Sequence, residues 1–440
     1  MEKARAFALS PIFSYLSKNS SPVVPGYDYL TGFRGYLTIS SFIWVFLVTF
    51  VPTTVKDSAN DDGPGYQIVL RKVLSVIFWN ETLLYSSFIL LSARVACLPF
   101  LISPTTATFA SSIFRRSANL FLPVAVALAI IKLISSQTGY QYIWDYKTLT
   151  HNISIDVPYE LPNALTYFNA IFNLFWTTTN FASQAGSLAF PSQTLWIVNV
   201  LYSQSYTIYM TMIVIPYTRP RWRVQAFVIF IATAWWVQSW AWYSITGLLL
   251  ADAIGNMDFK TKSNRGIQIY RSIRIPSWTL YGLLLAVGLM LQYLWTAWRP
   301  EFENYELVGH TGLYYTGGVN TQYDLKQPQA RDDNYLIVLG FFLLLETSDI
   351  LQMIFSNTFF MYLGRRSYSF FLMQSIIIYT VGIKLFVHLV VDRAVASSGA
   401  VVVCLITCLP IIVLSAEVMH RVVDQPMRRA AVVMWRWLRE

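Results

Sequence analysis

Runs of apolar residues, most of them about as long as a bilayer is thick, alternate with shorter polar stretches. Nine are clear: 35–52, 82–103, 119–136, 194–216, 224–252, 277–297, 335–355, 367–391 and 399–419. A helix rises about 1.5 Å per residue, so roughly 20 apolar residues cross a hydrocarbon core of about 30 Å. The fifth run is too long for one upright span and short for two. Arg219, Arg221 and Arg223 precede it, and Lys260, Lys262, Arg265, Arg271 and Arg274 follow it. Lys and Arg gather on cytoplasmic flanks, so the chain must leave and return within this run. It reads as two short or partly re-entrant helices meeting near Gln238 to Trp242. The pattern predicts an all-α integral membrane protein of about ten transmembrane helices, with both termini cytoplasmic.

Charge tests that orientation. The segments assigned to the cytoplasm hold 21 Lys and Arg against 5 Asp and Glu, and the external segments hold 8 against 14. The formal net charge of +9 therefore reflects membrane topology, with no basic stripe to suit nucleic acid. Composition agrees, with 12% charged residues where soluble domains carry about 25%. The expected organisation is a cytoplasmic N-terminal segment 1–34, one membrane domain 35–419 and a basic cytoplasmic tail 420–440. Residues 1–30 lack the continuous apolar stretch of a cleaved signal peptide, so the first span would direct insertion. External loops are expected at 53–81, 137–193 and 298–334. The second carries the sequon Asn152-Ile153-Ser154, a place for a glycan, and an aromatic stretch from Tyr167 to Phe181 suited to the interface. The third has Gly312, Gly317, Gly318 and a cluster of acids. Cys97, Cys404 and Cys408 all lie in apolar runs, which offers neither a disulfide framework nor a metal site.

Polar residues inside apolar runs are expensive and need partners. Arg94 lies near the middle of 82–103, where an arginine costs at least about 2.5 kcal/mol on insertion scales. Asp252, Glu346 and Asp349 are the candidate partners. Glu346 and Asp349 are three apart, which on a continuous helix puts them on one face. There they would act as a base or satisfy Arg94. His151 and His310 fall in external loops, and His388, four residues after Lys384, can snorkel outward with it. His420 ends the last span three residues after Glu417, either as a base or as a boundary residue facing headgroups. Trp235, Trp236, Trp240 and Trp242 suit an aromatic belt or an apolar pocket.

Several segments together resemble the acyltransferase-3 family of integral membrane O-acyltransferases, in its fungal-type form. Gly32-Phe33-Arg34-Gly35 is similar to the family's opening G-L-R-G, and Phe88-Ile89-Leu90-Leu91-Ser92-Ala93-Arg94 to its F-F-x-L-S-G segment. Phe114-Arg115-Arg116 before Leu120-Phe121-Leu122-Pro123 resembles its arginine-rich entry to the third span. Leu363-Gly364-Arg365-Arg366-Ser367-Tyr368-Ser369 resembles L-G-x-x-S-Y-S. Asp424-Gln425-Pro426, followed by Arg428-Arg429, resembles the closing E-x-P-x-R. Leu195-Trp196 and the Gly247 to Asp252 segment fit fungal-type members.

The resemblance implies transfer of an acyl group from cytoplasmic acyl-CoA, as co-substrate, to a hydroxyl of a metabolite, lipid or glycan, with no other cofactor. It implies Arg34, Arg115 and Arg116 as the acyl-CoA-binding residues, at the cytoplasmic mouth, where an arginine fork grips phosphate. The chain also departs from the family. The histidine that would act as base, eleven residues after the arginine, is Val45; the second arginine of R-x-x-R is Asn119. Leu201 stands where fungal-type members place a glutamate, and Gln374 where a histidine often follows S-Y-S. Catalysis would then need another group, with His420, Glu346 and Asp349 as candidates. Two other readings stand beside it: an inactive homologue that binds acyl-CoA or lipid, and a multi-span transporter built around the central charges Arg94, Asp252, Glu346 and Asp349. A transporter often shows an internal repeat, and none is visible here.

Overall fold

The computed structural model describes residues 26–56, 58–270, 273–308, 310 and 327–439. Residues 1–25, Arg271, Gly312, Gly317 and Gly318 lie outside that set, so most of the expected N-terminal segment does too. The described chain is almost wholly helical. α1 (Asp28–Phe50), α2 (Glu81–Ala96) and α3 (Thr106–Thr138) are followed by a shorter α4 (Ala164–Trp176). Next come α5 (Trp196–Met212), α6 (Pro220–Trp236) and α7 (Ala241–Asn256). An antiparallel hairpin, β1 (Ile267–Tyr270) and β2 (Ile273–Ile275), sets Gln268 opposite Arg274 and leads into α8 (Ser277–Tyr293). α9 (Asp332–Thr347), α10 (Asp349–Phe355), α11 (Thr358–Ile377), α12 (Ser397–Met419) and α13 (Gln425–Arg439) complete the order. Among the described residues six helical runs are long and apolar enough to cross a bilayer, or seven with α9 and α10 counted as one broken span.

Small residues set the centre of the bundle. α1 and α11 pack more extensively than any other pair. A Cβ at Gly35 would overlap the Phe360 carbonyl, and one at Gly364 would overlap the Thr31 carbonyl. Only glycine lets the two backbones meet so closely, which is how small residues work in membrane helices. A Cβ at Gly32 would likewise run into the Phe355 carbonyl of α10. The opening Gly-Phe-Arg-Gly step is therefore a packing surface that also carries Arg34. Because α1 starts at Asp28, Arg34 lies inside the helix rather than ahead of it.

Two breaks position the remaining helices. The long fifth run does divide where the expected turn falls. α6 ends at Trp236, Gln238 takes a left-handed conformation (φ 54°), and α7 begins at Ala241 and packs back against α6. The run 335–355 also divides, which the apolar pattern does not signal. Ser348 is extended (φ −95°, ψ 117°) and its hydroxyl caps α10, so the two axes meet at 98°. Glu346 and Asp349 consequently do not share a face. Asp349 sits in the first turn of α10, exposed and paired with Lys260 at 2.5 Å.

The residues expected as a basic tail are helical where described: α12 passes through a π-turn at His420–Asp424 into α13, which packs on α3, with Phe114 and Trp435 ring centroids 5.8 Å apart. One further expectation is corrected, because the sequon is closed to a glycan. Asn152 is 1% exposed, and its amide donates to the carbonyls of Val48 and Thr49 at 3.0 and 2.9 Å.

Candidate functional site

Helices α1, α2, α3, α5, α11 and α13 enclose a cavity of about 240 Å³. Its character is divided. Arg34, Arg116 and Arg428 contribute three guanidinium groups, and Phe88, Leu91, Leu120, Ile197 and Phe371 contribute an apolar wall. α2 presents Tyr85, Phe88, Leu91, Ser92 and Val95, the spacing of one helix face. Ser367 and Tyr368 enter from α11, where the Tyr368 hydroxyl donates to the Leu120 carbonyl at 2.8 Å.

The arginines differ in how they are held. Arg116 is fixed as a donor: Nε reaches the Ser205 hydroxyl at 2.9 Å, and Nη2 reaches the Ser92 hydroxyl at 2.7 Å and the Leu201 carbonyl at 3.3 Å. All three partners are neutral. Neither Arg34 nor Arg116 has a carboxylate at ion-pair distance among the described residues. Arg428 is different, with Nε 2.8 Å from Asp424 Oδ1 and Nη2 3.1 Å from Oδ2. The His420 ring meets the same carboxylate, Nδ1 to Oδ2 at 2.8 Å, while its Nε2 lies 3.2 Å from the Gln425 amide nitrogen. An ionised carboxylate only accepts, so Nδ1 carries the proton, and in the neutral ring Nε2 accepts from Gln425. Of the three guanidiniums, Arg428 alone is thus paired with a carboxylate among the described residues. Positive charge in a mostly apolar enclosure is costly without a counter-charge, so the cavity suits an anion with an apolar extension.

The expected site residues separate into groups. Arg34 and Arg116 come together in the cavity, whereas Arg115 is half-buried and not part of its lining. Val45 is fully buried in the core and is not part of the cavity lining, with its carbonyl accepting from the Thr49 hydroxyl. Gln374 is also fully buried and donates to the Ser41 hydroxyl at 2.8 Å. Leu201, at the expected glutamate position, lines the cavity. His420 is fully buried, so the expectation that it faces headgroups is wrong; the π-turn rotates it inward onto Asp424.

Of the three acids considered for Arg94, Glu346 is the partner. Arg94 Nε donates to Glu346 Oε1 at 2.8 Å, and both side chains are wholly buried. The Tyr29 hydroxyl donates to the other carboxylate oxygen, and the Tyr27 ring lies 5.2 Å from the guanidinium carbon. Asp252 belongs to a separate pair, 3.0 Å from Arg223 Nε, with the Asn256 amide donating to it at 2.6 Å. Arg428, Ser92 and Tyr368 lie within the family-like motifs, and their place in the site becomes visible only in the fold. The signal was present for Arg428, since His420, Asp424 and Arg428 recur every fourth residue.

No family model, curated protein or solved structure matches this chain.

Proposed function

We propose that the protein is a multi-pass membrane acyltransferase of the acyltransferase-3 type, moving an acyl group from acyl-CoA to a hydroxyl of a metabolite, lipid or glycan. One observation carries this reading. Arg34, Ser92, Arg116, Ser367 with Tyr368, and Arg428 each come from a different family-like segment, and all line one cavity. On this reading the seven long spans are joined by α5, α6 and α7 to make ten, both termini are cytoplasmic, and the cavity receives acyl-CoA from that side.

The three guanidiniums would hold CoA phosphates, and the apolar wall would take the acyl chain. The acceptor oxygen attacks the thioester carbonyl, a C–O bond forms and the C–S bond breaks. The hydroxyl proton leaves with CoA as its thiol. Asp424, held by His420, keeps Arg428 in place, which makes His420 a positioning residue. A second reading, an inactive homologue binding acyl-CoA or lipid, is favoured by a cavity lining that holds neither imidazole nor carboxylate among the described residues.

The test is purified protein with radiolabelled acetyl-CoA, following both binding and CoA release in the presence of candidate acceptors. Charged hydrogen bonds contribute about 1.5–3 kcal/mol. Arg34→Ala and Arg116→Ala should therefore each weaken acetyl-CoA binding by at least about tenfold. Unchanged affinity in both variants removes the reading. Binding that depends on the arginines, with no acceptor acylated, selects the inactive homologue.

A further inference from the structure

A second cavity, of about 460 Å³, adjoins the first. Thr82 and Tyr85 of α2 line it, as does Trp196 at the start of α5. Farther along the same two helices, Ser92 and Leu201 line the basic cavity. Tyr85 is the residue common to both linings. It is 2% exposed, and its ring is wedged edge-on between Trp44 and Trp196 at 5.9 and 4.8 Å.

The two cavities have opposite chemistry. The second is bordered by Glu81, Glu303 and Arg331. Arg331 is ion-paired to Glu303, Glu306 and Asp333, and Glu303 also to Lys56; in the lining itself two carboxylates, Glu81 and Glu303, stand against the one guanidinium. Gln193, Asn304 and Gln327 add amides, and Trp196 and Trp240 add flat apolar faces with centroids 6.2 Å apart. Amides and hydroxyls beside aromatic faces suit a ligand with many hydroxyls and an apolar face, and the excess of acid disfavours an anion.

We infer that this second cavity binds a neutral or cationic polyhydroxylated ligand, and that Tyr85 is the wall shared by that ligand and the occupant of the basic cavity. The inference rests on the acyl-transfer reading in that it makes the second cavity the acceptor site.

The experiment uses the full chain in detergent with a reporter cysteine in each cavity, Thr82→Cys and Leu201→Cys. The native cysteines are buried. Each reporter is treated with cationic, neutral and anionic thiosulfonates of similar size. A charged cleft raises the local concentration of counter-ions roughly tenfold or more. Thr82→Cys should accordingly react about tenfold faster with the cation than with the anion, and Leu201→Cys the reverse. Sorbitol and glucosamine should slow labelling of Thr82→Cys while glucuronate does not, and CoA should slow only Leu201→Cys. Adding Tyr85→Ala should draw the two charge preferences together, and Tyr85→Phe should keep them apart. Equal rates for all reagents at Thr82→Cys, or no protection by either polyol, overturns the ligand class. Charge preferences untouched by Tyr85→Ala overturn the shared wall. Loss of CoA protection at Leu201→Cys alone strikes the acyl-CoA reading and leaves this site standing.

Discussion

At the residue scale the most constrained group is the guanidinium of Arg94, which has no exposure to solvent and one carboxylate partner. Removing one member of a buried pair leaves the other uncompensated and commonly costs about 3–5 kcal/mol. Arg94→Leu should thus lower the folded yield and melting temperature in detergent, and a second change, Glu346→Leu, should recover part of both. A single variant as stable as wild type would show that the pair contributes nothing. That Arg94 needs an acid is legible in the sequence, because an intramembrane arginine demands one. The choice of Glu346 over Asp252 and Asp349 is not, since it depends on the Ser348 break and on Arg223 and Lys260 claiming the other two.

A second residue-scale effect lies outside the spans. Glu303, Glu306 and Asp333 share Lys56 and Arg331. Burial, helped by the charge of Asp333 and opposed by Arg331, pushes the Glu306 carboxyl up from 4.5 to about 8. The folded state therefore keeps a proton that the unfolded chain releases above pH 4.5. Stability is greatest below that value and falls as pH rises toward 8, because the unfolded state binds fewer protons across the window. Between those limits the melting temperature of wild type should fall more than that of Glu306→Gln, when both are measured in one buffer series. Parallel slopes would show that Glu306 does not titrate there.

At the element scale, the division of 224–252 is legible because basic clusters flank it on both sides, and the structure turns at Gln238. The division at Ser348 is hidden, because a serine capping α10 inside an apolar stretch looks like any other polar residue in a span. The π-turn at His420–Asp424 is hidden for a similar reason: an α-helical reading of 417–420 points His420 at Glu417, whereas Glu417 is taken by Arg366 and Arg421. Of the candidate site, Arg34 and Arg116 are legible from motif position and Arg428 from its spacing. Tyr85 is not, because its role comes from two cavities meeting. The contact between α1 and α11 yields a prediction of its own. Gly364→Leu places a branched side chain against the Thr31 carbonyl, and that backbone cannot retreat without separating the helices. Folded yield should collapse, while Gly255→Leu, whose Cβ position has nothing within 4 Å, should express normally. Comparable size-exclusion profiles for both variants would contradict the close approach.

At the scale of the whole molecule, the charge pattern and the two cavities make one connected claim. If the segments richest in Lys and Arg face the cytoplasm, then Lys262, beside the β1–β2 hairpin, lies inside and His151 outside. The basic cavity then faces the compartment in which acyl-CoA is made, and the cavity bordered by Glu81 and Glu303 faces away from it. Both probes are exposed, so accessibility follows from side alone. In intact cells, a membrane-impermeant maleimide should label His151→Cys directly and Lys262→Cys only after permeabilisation. Labelling in the opposite order would invert the topology and turn the arginines of the candidate site away from the cytoplasm. Labelling of both in intact cells would mean an even number of crossings between 151 and 262, whereas α5, α6 and α7 together supply three. The helices α5, α6 and α7 have 17, 17 and 16 residues, or roughly 25 Å each at about 1.5 Å per residue. They are short for a bilayer of about 30 Å, so this pair of probes also decides whether three short helices complete the ten.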